Sequence, residues 1–390
     1  MIEIIYLDHS ATTPVDEAQK TLILKLIEND FGNPSSLHKL GVASEKYIKK
    51  SRSQIAKALA VNEKEILFTS GGTESNNLAI QGCLPRRKKG KIITTVFEHP
   101  SVLNCVQMLE SQGYDVCFIP VSATGVLDMT EFENSLTEET LLVSVMMVNN
   151  EVGTIQPLEK IGQMIASHNQ KHGTRTLFHV DAVQGYGKLS VDVKKWGIDL
   201  MSFSAHKING IKGSGALYIR EGVTIAPLQH GGGQEKAIRP GTENILGIAS
   251  LGLASEMTFA VREKSFETVK QFKSHMIDYI ERNCEFAQVN GLAGEGASPY
   301  ILNVSFKGIK GEVLLHTLEM KEIFVSTGSA CSSKKKHYSH VLEAMKLSDE
   351  GLDGAIRISF SKLNTLEEVE RASEIICDEA KALKRIIKRR

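Results

Sequence analysis

The sequence has no surplus of charge of either sign. Its 390 residues hold 46 Lys and Arg against 46 Asp and Glu. A neutral chain offers no electrostatic footprint for nucleic acid as its main partner. Aromatic residues are scarce at 6%, with a single Trp, which disfavours an all-β sandwich built on aromatic pairs. No apolar run approaches the 18 residues of a membrane span; the longest, at 141–148, already contains Ser144. No basic segment precedes the apolar residues of the N-terminus, so no secretory signal is expected. The six cysteines, Cys83, Cys105, Cys117, Cys284, Cys331 and Cys377, form no C-x-x-C pair. A zinc or dithiol redox centre therefore has no support, and no intrinsic metal is expected. Scattered cysteines in a long chain predict a reducing compartment, the cytoplasm. What remains is an ordinary globular composition, 42% hydrophobic and 24% charged, with no repeat and no low-complexity segment.

Apolar spacing of three and four predicts amphipathic helices at 15–29 and 41–60. A βα alternation follows. Strands are predicted at 65–69, 91–96, 114–119, 141–148, 176–180, 200–204 and 215–219, with helices opening near Thr73, Pro100 and Leu158. Long apolar strands alternating with helices predict a mostly parallel sheet covered on both faces. After about Thr242 the pattern changes. Residues 244–283 read as one or two long helices, then short strands at 299–306, 322–325 and 355–359 predict an α+β second domain. The first 15 residues are expected to pack with it.

In an open α/β sheet, ligands sit beyond the carboxyl ends of the strands. The residues there are Ser70-Gly-Gly-Thr73, Glu98-His99, Asn149-Asn150-Glu151, Asp181-Ala-Val-Gln184 and Ser204-Ala-His-Lys207. If these strands are parallel neighbours, the five groups converge on one cleft. Two glycines before a helix suit an anion, because the backbone turns tightly and the new helix points its N–H groups outward; a plain helix cap is the alternative. Asp181 either caps a helix or pairs with a cationic ring nitrogen. Lys207 would ordinarily be a solvated lysine, but its small-residue setting suits close approach of a ligand. A phosphate loop, an aspartate and a lysine in one cleft are what pyridoxal phosphate requires: the lysine forms a Schiff base and the aspartate keeps the ring nitrogen protonated. His99 either stacks on that ring or simply starts the helix at Pro100.

The sequence resembles the class V aminotransferase family, and within it the cysteine desulfurases of the NifS/IscS type. The markers are Tyr6-Leu-Asp-His-Ser-Ala-Thr-Thr-Pro14, Asn33-Pro-Ser-Ser-Leu-His38, Thr69-Ser-Gly-Gly-Thr-Glu-Ser-Asn76 and Asn149-Asn-Glu-Val-Gly153. Asp181-Ala-Val-Gln184, Ser204-Ala-His-Lys207, Arg239-Pro-Gly-Thr-Glu-Asn244 and Ser326-Thr-Gly-Ser-Ala-Cys-Ser332 complete the set. Eight motifs in the family's order span nearly the whole chain. The resemblance implies the α/β class, pyridoxal-phosphate-dependent transferase fold type I. Its large domain, 16–258, would hold a mostly parallel seven-stranded sheet covered by helices. A smaller α+β domain, 1–15 with 259–390, would carry the Cys331 loop.

The same resemblance implies the site. Lys207 carries the cofactor, Asp181 pairs with the ring nitrogen, Gln184 contacts the ring hydroxyl and His99 stacks on the ring. Gly72, Thr73, Ser204 and His206 hold the phosphate, and Asn150 also borders the cofactor. Thr242 reaches the phosphate of a neighbouring subunit, which implies a homodimer. Asn150 and Arg357 hold the substrate carboxylate; a surface ion pair is the alternative for Arg357. L-cysteine is the implied substrate, with Lys207, His99 and Cys331 catalytic and L-alanine and a Cys331 persulfide as products. Cys331 stands among small polar residues without an apolar anchor, which predicts an accessible loop. Lys334, Lys335 and Lys336 either favour its thiolate or are merely solvated.

The implied sulfur acceptor is an iron–sulfur scaffold or a tRNA-thiolation enzyme, and in a scaffold complex Cys331 would be a transient cluster ligand. The family's usual glycine and arginine after the last strand are replaced here by Ser361 and Lys362, a change confined to the local turn. A selenocysteine lyase or a pyridoxal-phosphate-dependent cysteine β-lyase is the alternative; neither needs a cysteine on this loop.

Overall fold

The computed structural model describes residues 4–84, 89–327 and 338–388. Twelve strands lie among them: β1 (Ile5–Tyr6), β2 (Ile66–Thr69), β3 (Lys91–Thr95), β4 (Asp115–Ile119), β5 (Thr140–Met146) and β6 (Leu177–Asp181). Then come β7 (Leu200–Ser204), β8 (Gly215–Ile219), β9 (Ala287–Asn290), β10 (Ile301–Phe306), β11 (Ile323–Phe324) and β12 (Ala355–Ser359).

Seven strands form the main sheet in the order β2-β8-β7-β6-β5-β3-β4. Only β8 runs against its neighbours, so β2, β3, β5, β6 and β7 all end at the same edge. The expected mostly parallel seven-stranded sheet is the one observed. Its central strands are apolar because both faces are covered: β5 reads Thr-Leu-Leu-Val-Ser-Val-Met and is almost wholly buried. The helix Gly72–Gly82 packs on β6, β7 and β8. The helix Ile245–Ala260 is nearly all apolar and lies between Lys39–Leu59 and Glu17–Glu28. Its apolar character reflects contact on several sides rather than a single stripe.

At Val261 the chain bends by 72° into the charged helix Arg262–Asn283, which packs against Leu366–Lys388. Residues 244–283 are thus two helices. Beyond them lies an antiparallel sheet in the order β12-β10-β9. The sequence reading missed β9, whose Ala-Gln-Val-Asn stretch carries a single β-branched residue and no flanking apolar run. The N-terminus crosses to this part: β1 pairs with β11, and Asp8 bridges to Ser359. That crossing brings residues 8–13 over the carboxyl edge of the main sheet. No single helix among the described residues is long and apolar enough to cross a membrane.

Candidate active site

The five strand-end groups do converge. A cleft of about 390 Å³ is lined by Gly72, Thr73, His99, Asn150, Asp181, Gln184, Ser204, His206, Lys207 and Arg357. Ten of the twelve residues singled out in the sequence therefore share one space. Thr242 does not line the cleft and is exposed. Its segment is anchored nearby, because Arg239 pairs with Glu74 at 2.9 Å just behind the glycine turn. Cys331 lies outside the described residues, as do Lys334, Lys335 and Lys336.

At one end of the cleft β2 hands over to the helix Gly72–Gly82. Gly71 at the turn has φ 155° and ψ −177°, a conformation open to glycine. Gly215 of β8 passes behind it so closely that an added Cβ would lie 2.6 Å from the Gly71 Cα. The first N–H groups of this helix have no intrahelical acceptor and face the cleft's end with the Thr73 side chain. Ser204 and His206 border the same end. His206 Nδ1 contacts Thr12 Oγ1 at 3.2 Å. Burial, with Lys207 second, pushes His206 down to about 4, so it is neutral.

Asp181 ends β6 and is 5% exposed. One carboxylate oxygen accepts from Asn76 Nδ2 at 2.7 Å and the other from the Val183 backbone N–H at 3.0 Å. These donors hold the carboxylate in place within the cleft. Lys207 follows β7 on a short 3₁₀ turn. Its Nζ donates to the carbonyls of Ser10 at 2.5 Å and Ala11 at 2.8 Å. Burial, and then the Arg357 charge, lowers it to about 8 against the opposing pull of Asp8 and Asp181.

His99 caps the helix Pro100–Ser111. Its Nδ1 accepts from the Ser101 N–H at 3.1 Å, which assigns the proton of the neutral ring to Nε2. Burial lowers its proton affinity, Lys207 and His340 add to this, and Asp181 opposes it. Behind it Glu98 is fully buried and burial raises it to about 8. Its Oε1 accepts from Thr95 Oγ1 at 2.8 Å and the Met146 N–H at 3.0 Å. Gln184 is already engaged: Nε2 donates to the Ser10 carbonyl at 2.9 Å and Oε1 accepts from Lys188 at 3.4 Å.

Arg357, on β12, is 5% exposed, which corrects the alternative of a surface ion pair. Its Nη2 meets Asp8 at 2.7 Å and its Nη1 donates to the Asn150 carbonyl at 3.0 Å. Any carboxylate bound here shares the guanidinium with Asp8. Asp8, Ser10 and Asn76 line the cleft but were given no role in the sequence reading. Asn76 stands four residues after Gly72 on one helix, so it faces the same way. Asp8 and Ser10 lie in the first motif, which only the crossing of the N-terminus brings here.

The Aminotransferase class-V family matches residues 5–372. The chain belongs to that family, among the cysteine desulfurases of the NifS/IscS type. It is 44% identical to the cysteine desulfurase IscS of Methanosarcina thermophila, over 95% of this chain and 91% of that one. It is 42% identical to a putative cysteine desulfurase IscS of Bacillus subtilis, over 98% of this chain and all of that one. A solved NifS-like protein superposes with a TM-score of 0.90 at 37% identity, covering 96% of this chain and 99% of that one. The fold is therefore that of the pyridoxal-phosphate enzymes of type I, and pyridoxal phosphate is the cofactor.

The residues present fit that cofactor. A helix N-terminus faces one end of the cleft, a fixed carboxylate and an amine stand in the rest, and Asn76 Oδ1 and Ser10 Oγ are buried without hydrogen-bond partners among the described residues. Buried polar atoms of this kind call for a polar ligand.

Proposed function

We propose that this chain removes sulfur from L-cysteine in the cleft around Lys207, yielding L-alanine and a persulfide on Cys331. The observation that carries the reading is the meeting of Lys207, Asp181 and the Gly71-Gly72 helix start in one cleft, in a chain related to cysteine desulfurases over nearly its whole length. When bound, pyridoxal phosphate supplies an electron sink for the substrate's α-carbon.

The chain's own residues do the rest. The backbone N–H groups at Gly72 and Thr73, with Ser204 and His206, would hold the phosphate. Asp181 would keep the ring nitrogen cationic, its carboxylate fixed by the Asn76 side chain and the Val183 N–H. Gln184 and His99 would lie beside the ring. Arg357 and Asn150 orient the substrate carboxylate. Lys207 Nζ, with a lowered proton affinity, accepts the α-proton and returns it. His99, neutral and carrying its proton on Nε2, gives that proton up in the cleft and is refilled by the proton of the substrate thiol. The Cys331 thiolate attacks the substrate sulfur: an S–S bond forms, the C–S bond breaks, and its electron pair goes to the β-carbon, which is protonated.

The reading extends to a homodimer in which Thr242 reaches the partner's phosphate. Its exposure, and the exposed Leu24, Ile27, Phe31 and Leu37, support this. The persulfide passes to an acceptor for iron–sulfur assembly or tRNA thiolation. A cytoplasmic setting accords with the five unpaired cysteines among the described residues. The lyase alternatives are not favoured, since the relatives are named cysteine desulfurases. Turnover of L-cysteine by the wild type and by Cys331→Ala tests the reading. Alanine from the wild type alone supports it. Pyruvate and free sulfide from both would overturn it in favour of a β-lyase.

A further inference from the structure

The segment 231–243 joins β8 to the helix Ile245–Ala260, and glycines at 231, 232, 233 and 241 give it little stiffness of its own. Yet Glu235, Lys236 and Ala237, none of them glycine, stand in succession at φ 43°, 59° and 58°. The left-handed region costs free energy at each such residue and persists only where the surroundings over-determine it. Here the surroundings include a buried ion pair. The Glu235 side chain is 4% exposed and meets Arg52 of the helix Lys39–Leu59 in a two-pronged contact, Nη2 on Oε1 and Nη1 at 3.2 Å from Oε2. The guanidinium also lies over the Phe68 ring, 4.7 Å from its centroid.

The pair is seated on the edge of the main sheet. β2 is the outer strand, and backbone groups two residues apart on a strand face the same way. Arg52 Nη1 donates to the Ile66 carbonyl, and Glu235 Oε2 accepts from the Phe68 N–H at 2.9 Å. The two side chains thus stand in for a further strand. From there a short path leads to Thr242. Gln234, beside Glu235, accepts from the Gly241 N–H at 3.1 Å through its Oε1, and Gly241 precedes Thr242. Between them Arg239 pairs with Glu74 at 2.9 Å. The phosphate end of the cleft opens into a recess of about 500 Å³ lined by Gly71, Thr73, Ser204, His206 and Lys212. No residue of 231–243 lines it, so this chain's own Thr242 leaves the recess unfilled.

We propose that Glu235, locked to Arg52 and to the edge of β2, is a positioning residue for Thr242: it holds the segment 234–242 in the shape that lets Thr242 reach the phosphate of the partner subunit. The contacts to Ile66 and Phe68 fix the base of this arm to the strand that runs into the glycine turn. Gln234 and Arg239 then close it on itself and on the helix start, so a glycine-rich loop arrives at the partner preorganised.

The inference rests on the reading of Thr242 as the residue that reaches the partner's phosphate. Its test is the affinity of the full chain for pyridoxal phosphate, titrated by the absorbance of the bound cofactor, with sedimentation on the same samples. The proteins are wild type, Thr242→Ala, Glu235→Ala, Glu235→Gln and the double variant Glu235→Ala/Thr242→Ala. Loss of a hydrogen bond to a charged group predicts that Thr242→Ala binds the cofactor about tenfold or more weakly. Glu235→Ala is expected to lose about fivefold or more and to remain a dimer. KM for L-cysteine at saturating cofactor is expected to stay within about twofold, because Glu235 acts at the phosphate end. A residue that acts only through Thr242 adds nothing once Thr242 is gone, so the double variant should match Thr242→Ala within about twofold. If Glu235→Ala does not fold, Glu235→Gln, which keeps an acceptor for the Phe68 N–H but not the charge, carries the test, alone and combined with Thr242→Ala. Additive losses, wild-type affinity in the folded Glu235 variants, or a loss that only follows dissociation to monomers would overturn the role of Glu235. A wild type that sediments as a monomer, or Thr242→Ala binding as tightly as wild type, would overturn the reading of Thr242 and the inference with it.

Discussion

Replacing Asp181 by Asn removes one charge and almost no volume. The carboxylate is 5% exposed and accepts from Asn76 at 2.7 Å and from the Val183 N–H at 3.0 Å. In Asp181→Asn the amide oxygen keeps one of these bonds, so folding stability should fall by only about 1 kcal/mol, the value of one hydrogen bond. The contact to a cationic ring nitrogen is a different matter. Leaving a buried charge without its partner costs about 3–5 kcal/mol, which at about 1.4 kcal/mol per tenfold corresponds to a loss of about two to nearly four orders of magnitude in kcat. The assay is alanine formation from L-cysteine, with cofactor content measured on the same sample and a thermal melt alongside. A variant that retains its cofactor and turns over within about threefold of wild type would refute the assignment of Asp181 to the ring nitrogen.

Burial lowers the proton affinity of His99, so it stays neutral to a lower pH than an ordinary histidine. The acid limb of kcat/KM should therefore lie below about 6.5, and a limb at or above that value would count against His99 as the proton carrier. Gly215→Ala would press a methyl group 2.6 Å from the Gly71 Cα; with backbone as the neighbour it should cost about 1–3 kcal/mol and release the cofactor, read by gel filtration and absorbance, and full retention would contradict the phosphate-end geometry. Lys273 is buried, donates to the Ser298 carbonyl at 2.9 Å, and burial lowers it to about 8. Between about 8 and 10.5 the unfolded chain binds more protons than the native one at this site, so wild-type stability should rise with pH across that window. Lys273→Met should then be more stable by about 1–2 kcal/mol at pH 7, with the gain shrinking toward pH 10, in urea melts; a loss of stability at pH 7 would refute this.

The sheet was legible because its strands are short, apolar and β-branched, and each is followed at once by polar or glycine residues. The βα alternation and the two glycines before Thr73 placed a ligand at the carboxyl edge before any geometry was known. Strand β9 was not legible, since Ala287–Asn290 lacks a pattern and is a strand only because β10 lies beside it. Asp8 and Ser10 were quoted as part of a motif, yet their place against Arg357 and Lys207 depends on pairing over more than 190 residues of sequence separation, which no local period encodes. The pairing of Gln184 with Lys188 spans a non-helical turn, Gln-Gly-Tyr-Gly-Lys, so no helical period announced it, and a lone lysine there reads as solvated. The burial of Arg357 was hidden for the same reason, because an arginine on a short strand gives no sign of which face the fold will cover.

The most direct test of the account is the intact mass of the protein after brief exposure to L-cysteine, with peptide mapping of the adduct. The account predicts a gain of about 32 Da, one sulfur atom, on Cys331, removed by a thiol reductant and absent from Cys331→Ala. Alanine release from the wild type with no such adduct, or with the sulfur on another cysteine, would contradict it.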